Sequence, residues 1–416
     1  MSWKETGNIW HPFGPLRGRE PILIVRGEGA YLITKEGRKI LDCVSSWWVN
    51  LHGHANPIMA KAIADQANKL EQVIFAGFTH EPAIDLSEKL LSVLPSNQSK
   101  LFFSDDGSTA VEVALKLAMQ YLHNRGAQRP KIIALEGAYH GDTFGAMSVA
   151  ERNLFSAPFD EKLFDVAFIP FPEGDGANTI DAFRANCSDQ TAAFIFEPLV
   201  QGAGGMRIYD KDILNQLLVI AKEHEVVTIA DEVMTGFYRT GKFFATDYLD
   251  HQPDLFCLSK GLTGGFLPMS ITSVSERIVA EFDNDQLQKT FWHGHSYTAN
   301  VLACAAANAS FDILTSDDCQ QRIQAISTAH DAFVQEMTDH PRLAQIKCQG
   351  TILSMQIRTD DAGYTSSIRD HLYDYFLARD ILLRPLGNVL YILPPYVIEM
   401  EDLKRVYGEI KRFLVS

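Results

Sequence analysis

Short apolar runs that alternate with helical segments constrain the fold of this chain more than any other feature of its sequence. Several of these runs are rich in β-branched or aromatic residues and stop at polar or glycine residues: "KLFFSDDGS", "KIIALEGAYHGD", "AAFIFEPLVQG", "VVTIADEVMTG" and "LFCLSKGLTGG". Between them, residues 109–122 and 212–223 place apolar side chains at helical spacing. Strands alternating with helices predict an α/β fold with a mostly parallel, doubly wound sheet, whose ligands bind beyond the carboxyl ends of the strands.

The two ends of the chain follow a different pattern. Residues 21–43 alternate as antiparallel strands do, and the tail from about residue 311 mixes amphipathic helices with "TILSMQI" and "VLYILPP". We therefore predict a large domain over residues 51–310 and a smaller α+β domain built from residues 1–50 and 311–416.

The composition argues against several classes of function. Of the 416 residues, 46% are hydrophobic and 21% are charged, which is typical of a globular protein with a sizeable core. The net charge of -15 repels phosphate backbones and anionic membranes, so we expect neither nucleic acid nor a membrane as a partner. No signal peptide or membrane span is apparent, and the six cysteines are far apart without a CxxC pair. These features favour a cytoplasmic protein with reduced thiols.

Lys260 directly follows an apolar run and directly precedes a glycine-rich turn. A lysine at a buried strand end is costly unless it is neutralised or used covalently, although a lysine that reaches solvent is the simpler alternative. Gly261, Gly264 and Gly265 are expected to clear side chains from around it, so that a planar ligand can approach. Burial would also favour the neutral amine, which attacks carbonyl groups.

Asp231 ends a second strand-like run. A carboxylate there could cap a helix, bind a metal or pair with a protonated ring nitrogen. Pyridoxal 5′-phosphate needs both a lysine for its aldehyde and an acid for its pyridine nitrogen. Lys260 and Asp231 together therefore favour this cofactor.

The stretches that carry this pair, "IADEVMTGFYRTG" and "LSKGLTGGFLP", resemble the class III pyridoxal phosphate aminotransferases. The resemblance covers nearly the whole chain. It implies fold type I of the pyridoxal-phosphate-dependent transferases, which is aspartate aminotransferase-like, and a homodimer with shared active sites. "SSWWVNLHGHANP", "EGAYHGDTFGAMS", "FWHGHSYTANVLACAAA" and "LLRPLGNVLYILPP" resemble the biotin-pathway branch of that family. That branch converts 8-amino-7-oxononanoate to 7,8-diaminononanoate, and S-adenosylmethionine is its usual amino donor, although some relatives use lysine.

Gly107 stands where "FFSDDGSTAVEVALK" passes from a strand into a helix, and the free N–H groups of a helix start can bind an anion. An ordinary capping box of Thr109 and Glu112 is the alternative. The family resemblance implies that Gly107 and Ser108 bind the cofactor phosphate.

"EGAYHGD" places Tyr139 and His140 after another strand, where an aromatic ring could stack on the cofactor. The resemblance implies that Tyr139 stacks on the ring, as a catalytic residue beside Lys260 and Asp231, and that His140 supports the cofactor. It also implies that Glu197, at the end of "FIFEP", organises the pocket beside the cofactor.

Two HxH pairs offer a zinc hydrolase as an alternative function. They are His52 with His54 and His293 with His295. No HExxH or aspartate-rich partner accompanies them, so we expect no metal. The resemblance instead implies that the loop of Gly294, His295 and Ser296 reaches the cofactor phosphate of the neighbouring subunit.

The residues expected to bind the substrate are aromatic or basic. Trp47 and Trp48, if extended, would face opposite ways, so that one packs in the core and the other lines a cleft. The resemblance implies that both line the pocket for the long keto acid and that Arg384 pairs with its carboxylate, with Arg239 as a weaker candidate. The family often has tyrosine at the position of Phe13, so we expect Phe13 only to line the pocket.

These residues predict ping-pong transamination in which Lys260 moves the proton. Other functions remain open on the sequence. They are acetylornithine, 4-aminobutyrate or ω-amino acid transamination, a lyase or racemase on the same scaffold, and a catalytically silent binding protein.

Overall fold

The structure is a computed structural model that describes residues 8–15, 18–363 and 366–415. Its strands are β1 (Ile24–Glu28), β2 (Tyr31–Thr34), β3 (Lys39–Asp42), β4 (Gln98–Ser104), β5 (Lys131–Leu135), β6 (Ala167–Ile169), β7 (Thr191–Phe196), β8 (Val200–Gln201), β9 (Arg207–Ile208), β10 (Val227–Asp231), β11 (Leu255–Leu258), β12 (Ser270–Ser275), β13 (Leu343–Gln349), β14 (Ile352–Ile357), β15 (Ile381–Leu382) and β16 (Val389–Ile392). Its helices are α1 (Ser45–Trp48), α2 (Pro57–Ala67), α3 (Glu81–Val93), α4 (Gly107–Asn124), α5 (Phe144–Ser148), α6 (Ala177–Asn186), α7 (Lys211–Glu223), α8 (Glu276–Val279), α9 (Val301–Leu314), α10 (Asp317–Met337), α11 (Ile368–Leu377) and α12 (Met400–Val415).

The central sheet has seven strands in the order β4-β12-β11-β10-β7-β5-β6. β12 runs antiparallel to both of its neighbours, whereas the other pairings in this sheet are parallel. The prediction of an α/β fold with a mostly parallel sheet is therefore confirmed. β12 was not predicted, because the residues of "SITSVS" are mostly small and polar. Every one of them is nevertheless buried. Two of the hydroxyl groups of β12 are satisfied inside the protein: Thr272 donates to the carbonyl of Ala110 at 2.9 Å, and Ser273 donates to the side-chain oxygen of Gln98 at 2.8 Å.

Helices cover both faces of this sheet. Ile195, Ile229 and Cys257 pack with the buried side of α4, and the alternate residues Phe194, Ala230 and Phe256 belong to the cluster that contains α7. This alternation is the two-residue period of a strand that is buried on both sides. The predicted helices over 109–122 and 212–223 correspond to α4 and α7.

Two smaller sheets are built from the ends of the chain. In the first, β1, β2 and β3 are antiparallel, and β15 joins β3 in parallel. The second consists of β13, β14 and β16. We keep the domain boundaries of residues 1–50, 51–310 and 311–416 as a proposal.

Within the described ranges, no helix combines the length and the apolar character that a membrane crossing requires. The six cysteines are free thiols, and only Cys348 among them is not fully buried.

Candidate active site

A cavity of about 420 Å³ opens where the parallel strands of the central sheet end. It brings together most of the predicted cofactor residues, which are Gly107, Ser108, Tyr139, His140, Glu197, Asp231 and Lys260. They follow β4, β5, β7, β10 and β11, so the topology of the sheet assembles them from separate parts of the sequence.

Lys260 begins a short 3-10 helix just beyond β11, and its φ of 46° places it in the left-handed region. Its Nζ lies 4.6 Å from the centre of the Trp48 ring. Burial lowers the pKa of Lys260 to about 8, although the carboxylates of Asp231 and Glu197 act in the opposite direction. The neutral amine is therefore more abundant near physiological pH than it is for an ordinary exposed lysine.

The glycines after Lys260 have a different role from the one predicted. Gly261, Gly264 and Gly265 pack against residues 49–52, and a Cβ at Gly264 would lie 2.7 Å from the ring of His52. They allow this segment to approach the 3-10 helix. Gly265 also lines the cavity, whereas Gly261 and Gly264 do not, so the predicted space for a ligand is found beside Gly265 and not beside the other two.

Asp231 is held by a buried histidine. Nδ1 of His140 lies 2.7 Å from Oδ2 of Asp231, and Oδ1 accepts a hydrogen bond from the N–H of Val233 at 3.1 Å. Nε2 of His140 is buried and has no hydrogen-bond partner among the described residues. The sequence did not reveal this pair, since no local pattern links residues that follow separate strands.

The start of α4 is capped by Asp106. Its side chain accepts from the N–H of Thr109 at 3.0 Å, and its own N–H donates to Oγ1 of Thr109. The capping box of Thr109 with Glu112, which the sequence offered as an alternative, is therefore not formed. Glu112 instead accepts from Thr143 and from the N–H of Gly145 at 2.7 Å, so it anchors the start of α5.

The loop after Tyr139 packs tightly on the start of α4. Gly141 has a φ of 131°, and a Cβ there would lie 2.0 Å from Oγ of Ser108. The N–H of Asp142 donates to the same oxygen at 3.2 Å. The close contact places Ser108, the first turn of α4 and this loop around one end of the cavity.

Glu197 lies beneath that loop. Oε1 accepts from the N–H of Tyr139 at 3.1 Å, and Oε2 accepts from the N–H of Gly202 at 2.8 Å. Burial raises the pKa of Glu197 to about 7. Burial, reinforced by Asp142, also raises the pKa of Tyr139, so its hydroxyl stays protonated at neutral pH.

A larger cavity of about 1440 Å³ adjoins the first and shares Trp48, Tyr139 and Lys260 with it. Trp47, Arg384 and Phe13 line this cavity, and the guanidinium carbon of Arg384 lies 4.0 Å from the centre of the Trp47 ring. Among the described residues Arg384 has no ion pair, which leaves its charge available to a ligand. Phe13 packs edge-on against Trp47, with ring centres 5.3 Å apart.

Arg239 lies outside this cavity, contrary to the expectation that it serves the same pocket. Its guanidinium is buried and donates to the carbonyls of Pro394 at 2.7 Å and Asn50 at 3.3 Å. Arg239, in the central part of the chain, thus binds one residue from the N-terminal part, Asn50, and one from the C-terminal part, Pro394.

Trp47 and Trp48 are not in a strand as supposed. They lie in α1, where Ser45, Ser46 and Trp48 have positive φ values of 51°, 60° and 67°. Trp48 is buried and its Nε1 donates to Oη of Tyr391 at 3.0 Å, whereas Trp47 is partly exposed. Both indoles line the larger cavity.

The histidine pairs do not form a metal site. Across the residues that the structure describes, no three histidine, cysteine, aspartate or glutamate side chains come together as metal ligands. His52 is bonded to Ser310 at 2.9 Å, and His293 to Lys116 at 2.8 Å. Gly294, His295 and Ser296 are not brought into either cavity of their own chain.

A mostly parallel sheet with a lysine and a carboxylate at neighbouring strand ends is typical of enzymes that use pyridoxal phosphate. The similarity of the chain to known proteins agrees with this class. The chain belongs to the class-III aminotransferases, whose family model matches residues 16–414. This confirms the predicted enzyme class, a transaminase, and its cofactor, pyridoxal 5′-phosphate.

Individual relatives are more specific. The chain is 48% identical over 418 residues to the adenosylmethionine-8-amino-7-oxononanoate aminotransferase of Synechococcus elongatus, covering 98% of each chain. A crystal structure of the enzyme with that name from Methanocaldococcus jannaschii matches with a TM-score of 0.92 at 33% identity, covering 97% of each chain. An amine transaminase from an uncultivated Pseudomonas species, in a pyridoxal-phosphate-bound form, matches with a TM-score of 0.91 at 27% identity, covering 98% of each chain.

The residues at the smaller cavity fit pyridoxal phosphate. They offer an amine of lowered pKa, a buried carboxylate, and the N-terminus of an 18-residue helix for a phosphate. Nε2 of His140, which is buried and has no partner in the described part of the chain, is a further polar group at this site. The cavity volume is also within the range of small-molecule sites.

Proposed function

We propose that this chain transfers an amino group to 8-amino-7-oxononanoate and yields 7,8-diaminononanoate, a step of biotin biosynthesis. The observation that carries the proposal is the continuity of the two cavities: Lys260 borders both, with Asp231 on one side and Arg384 with Trp47 on the other. One site therefore combines residues that can bind the cofactor with an adjoining cavity lined by the Arg384 guanidinium and by aromatic side chains. The names of the relatives support this substrate.

The cofactor, when bound, supplies an aldehyde that condenses with amines and a ring that stabilises negative charge on the neighbouring carbon. Lys260 would hold the cofactor through its amine, and the same amine, when free, would carry the proton to and from the substrate carbon. Asp231, oriented by His140, holds a proton on the ring nitrogen. The first turn of α4, with Gly107 and Ser108, binds the phosphate.

The side chains around the ring have supporting roles in this proposal. Tyr139 stacks on the ring and is held in place by the bond of its N–H to Glu197. Arg384 pairs with the carboxylate of the keto acid, and Trp47 and Trp48 contact its aliphatic chain. Phe13 closes one side of the pocket without adding a hydrogen bond.

S-adenosylmethionine is the proposed amino donor, and lysine is the alternative. The reaction is ping-pong, because donor and acceptor use the same cavity in turn. Because the six cysteines are unpaired thiols, a cytoplasmic location belongs to the same proposal.

We also propose a homodimer in which the loop of Gly294, His295 and Ser296 completes the site of the partner chain. This loop lines neither of the two cavities of its own chain, and its neighbours Trp292 and Tyr297 are 71% and 65% exposed. Exposed aromatic side chains of this kind are typical of an interface.

Mixing two inactive variants tests the shared site. Chains with Lys260→Ala and chains with Ser296→Ala, unfolded and refolded together, are expected to recover about a quarter of the native activity, since each mixed dimer holds one intact site. Absence of recovery in mixed dimers would show that the loop serves its own chain.

The substrate is tested by supplying the purified protein with 8-amino-7-oxononanoate and, in turn, S-adenosylmethionine and lysine. We expect diaminononanoate with one of these donors. Its absence with every donor, alongside transamination of acetylornithine or 4-aminobutyrate, would replace the proposed substrate by one of those.

A further inference from the structure

Asp42 is a buried carboxylate at the end of β3, immediately before the segment that carries the two pocket tryptophans. Its Oδ1 accepts from the N–H of Val44 at 3.0 Å, and its Oδ2 accepts from the N–H of Ser46 at 2.6 Å. Its side chain is completely shielded from solvent. One carboxylate therefore binds the N–H of Ser46 in α1 and the N–H of Val44 just before it.

The backbone held in this way is strained. Ser46 combines a φ of 60° with a ψ of -82°, and Ser45 and Trp48 also have positive φ. Residues other than glycine avoid this region, and they persist in it only where surrounding contacts compensate. The hydrogen bonds to Asp42 and that of Ser45 Oγ to the carbonyl of Leu393 at 2.8 Å provide that compensation.

His54 orients the carboxylate from the other side. Its Nε2 lies 2.9 Å from Oδ2 of Asp42, and its Nδ1 lies 3.2 Å from Nδ2 of Asn50. Gly27 makes room for this ring, because a Cβ at Gly27 would lie 2.3 Å from the Cβ of His54. The lack of a side chain at Gly27 in β1 thus leaves space for His54, which contacts the carboxylate of Asp42.

We propose that Asp42, oriented by His54, is a positioning residue that shapes the substrate pocket by fixing the turn that carries Trp47 and Trp48. Neither Asp42 nor His54 lines either of the two cavities of the candidate site, so both act through the tryptophans. Trp48 places its ring 4.6 Å from the Lys260 amine, and Trp47 places its ring 4.0 Å from the Arg384 guanidinium. Displacement of the turn would therefore alter both ends of the pocket. The kinetic part of this inference rests on the proposed function.

Asp42→Asn is the principal test, measured on the cofactor-loaded enzyme. The variant keeps the size of the side chain but presents an amide nitrogen where Oδ2 now accepts from Ser46 and His54. We expect the KM for 8-amino-7-oxononanoate to rise about tenfold while kcat falls less than about threefold. We also expect a crystal structure of the variant to show the turn displaced by about 1 Å or more and the bond between Trp48 and Tyr391 broken.

Asp254→Asn is the matched control, because Asp254 is another largely buried carboxylate that accepts from a backbone N–H. It binds the N–H of Thr228 at 2.9 Å and the guanidinium of Arg277 at the amino ends of the central strands, away from both cavities. This variant is expected to lower the melting temperature and leave KM unchanged. An equal rise in KM for both variants would overturn the inference.

His54 supplies a second variant if Asp42→Asn does not fold. His54→Ala is expected to raise KM about threefold, and His54→Gln, whose amide can still donate to the carboxylate, is expected to remain near the native value. An unchanged turn in the variant crystal structures overturns the inference, and so does an unchanged KM. If the native protein does not act on 8-amino-7-oxononanoate, the proposed function fails, whereas the crystal structures still decide the role of Asp42.

Discussion

His140 and Asp231 form a buried pair in which Nδ1 of the ring lies 2.7 Å from Oδ2 of the carboxylate. They are 91 positions apart and follow β5 and β10, two strands that are separated by β7. The bond orients the carboxylate and leaves Oδ1 to the N–H of Val233. A fixed acid at this position is what a protonated ring nitrogen requires.

Loss of the imidazole is predicted to weaken cofactor binding. His140→Ala should raise the dissociation constant for pyridoxal phosphate about tenfold, because one hydrogen bond to a charged group is lost. An absorbance titration of the cofactor-free protein measures this. His140→Asn, whose amide nitrogen can occupy a similar position, is the matched control and should bind nearly as well as the native protein. Equal affinities in all three proteins would contradict the assigned role.

Lys260→Ala is predicted to lower turnover by about three orders of magnitude or more, because the residue supplies both covalent attachment and proton transfer. The melting temperature of the cofactor-free protein should not fall at neutral pH, since burial lowers the pKa of Lys260 and its charge is therefore unfavourable to folding there. Steady-state rates and calorimetry check this prediction. In the native enzyme, borohydride should fix the cofactor to the peptide that contains Lys260. Near-normal transamination by the variant would refute the assignment.

Cofactor capture should depend on pH through Lys260, whose pKa burial lowers to about 8. Below this pH the neutral amine falls about tenfold per unit, and so should the rate of capture by the cofactor-free protein. Above pH 8 the rate should level off, and stopped-flow mixing can follow it. A rate that keeps rising beyond pH 10 would indicate an ordinary lysine.

The lowered pKa of Lys260 also predicts how the free energy of unfolding changes with pH. The folded, cofactor-free protein binds this proton less tightly than the unfolded chain does, because the pKa falls from 10.5 to about 8. The contribution of Lys260 is therefore unfavourable below pH 8 and is relieved as the pH rises from 8 to 10.5. Lys260→Met should show a smaller gain in free energy of unfolding over this interval, as measured by urea titration.

Arg384→Lys is predicted to raise the KM for the keto acid about tenfold with a smaller change in kcat, because lysine cannot reproduce a bidentate pair with a carboxylate. The methyl ester of the keto acid is the control substrate. It should bind the native enzyme and the variant equally weakly. An effect of the same size on acid and ester would show that Arg384 acts through its packing on Trp47.

Trp48 and Tyr391 should be energetically coupled through the bond of 3.0 Å from Nε1 to Oη. Trp48→Phe and Tyr391→Phe are each expected to reduce the free energy of unfolding by about 1 kcal/mol. The double variant should lose clearly less than the sum of the two. Strict additivity in denaturant titrations would show that the bond contributes nothing.

The parts of the site that follow strand ends were predictable from the sequence. Lys260 and Asp231 each close an apolar run, and parallel strands bring their carboxyl ends to one edge. The pairing of His140 with Asp231 was not predictable, because it depends on the order of strands in the sheet.

The parts that depend on backbone outside the common conformations were also missed. Trp47 and Trp48 were considered as part of a strand, whereas they lie in a turn in which Ser45, Ser46 and Trp48 have positive φ and the N–H groups of Val44 and Ser46 bind Asp42. Gly261 and Gly264 were assigned to a ligand, whereas they accommodate Leu51 and His52. In both cases a contact from outside the local stretch determines the conformation.

The reversed direction of β12 has a geometric consequence for the site. This strand separates β4, which leads to Ser108, from β11, which leads to Lys260, and it starts rather than ends at this edge. Neighbouring strands are about 4.8 Å apart, so the reversal leaves an interval of about 10 Å between the two outgoing chain segments. Ser104 on β4 and Ser270 on β12 are paired at the base of this interval. Both hydroxyl groups are buried without a partner among the described residues. The length of the interval available to a flat ring and its phosphate is thus set by β12, which runs antiparallel to its two neighbours.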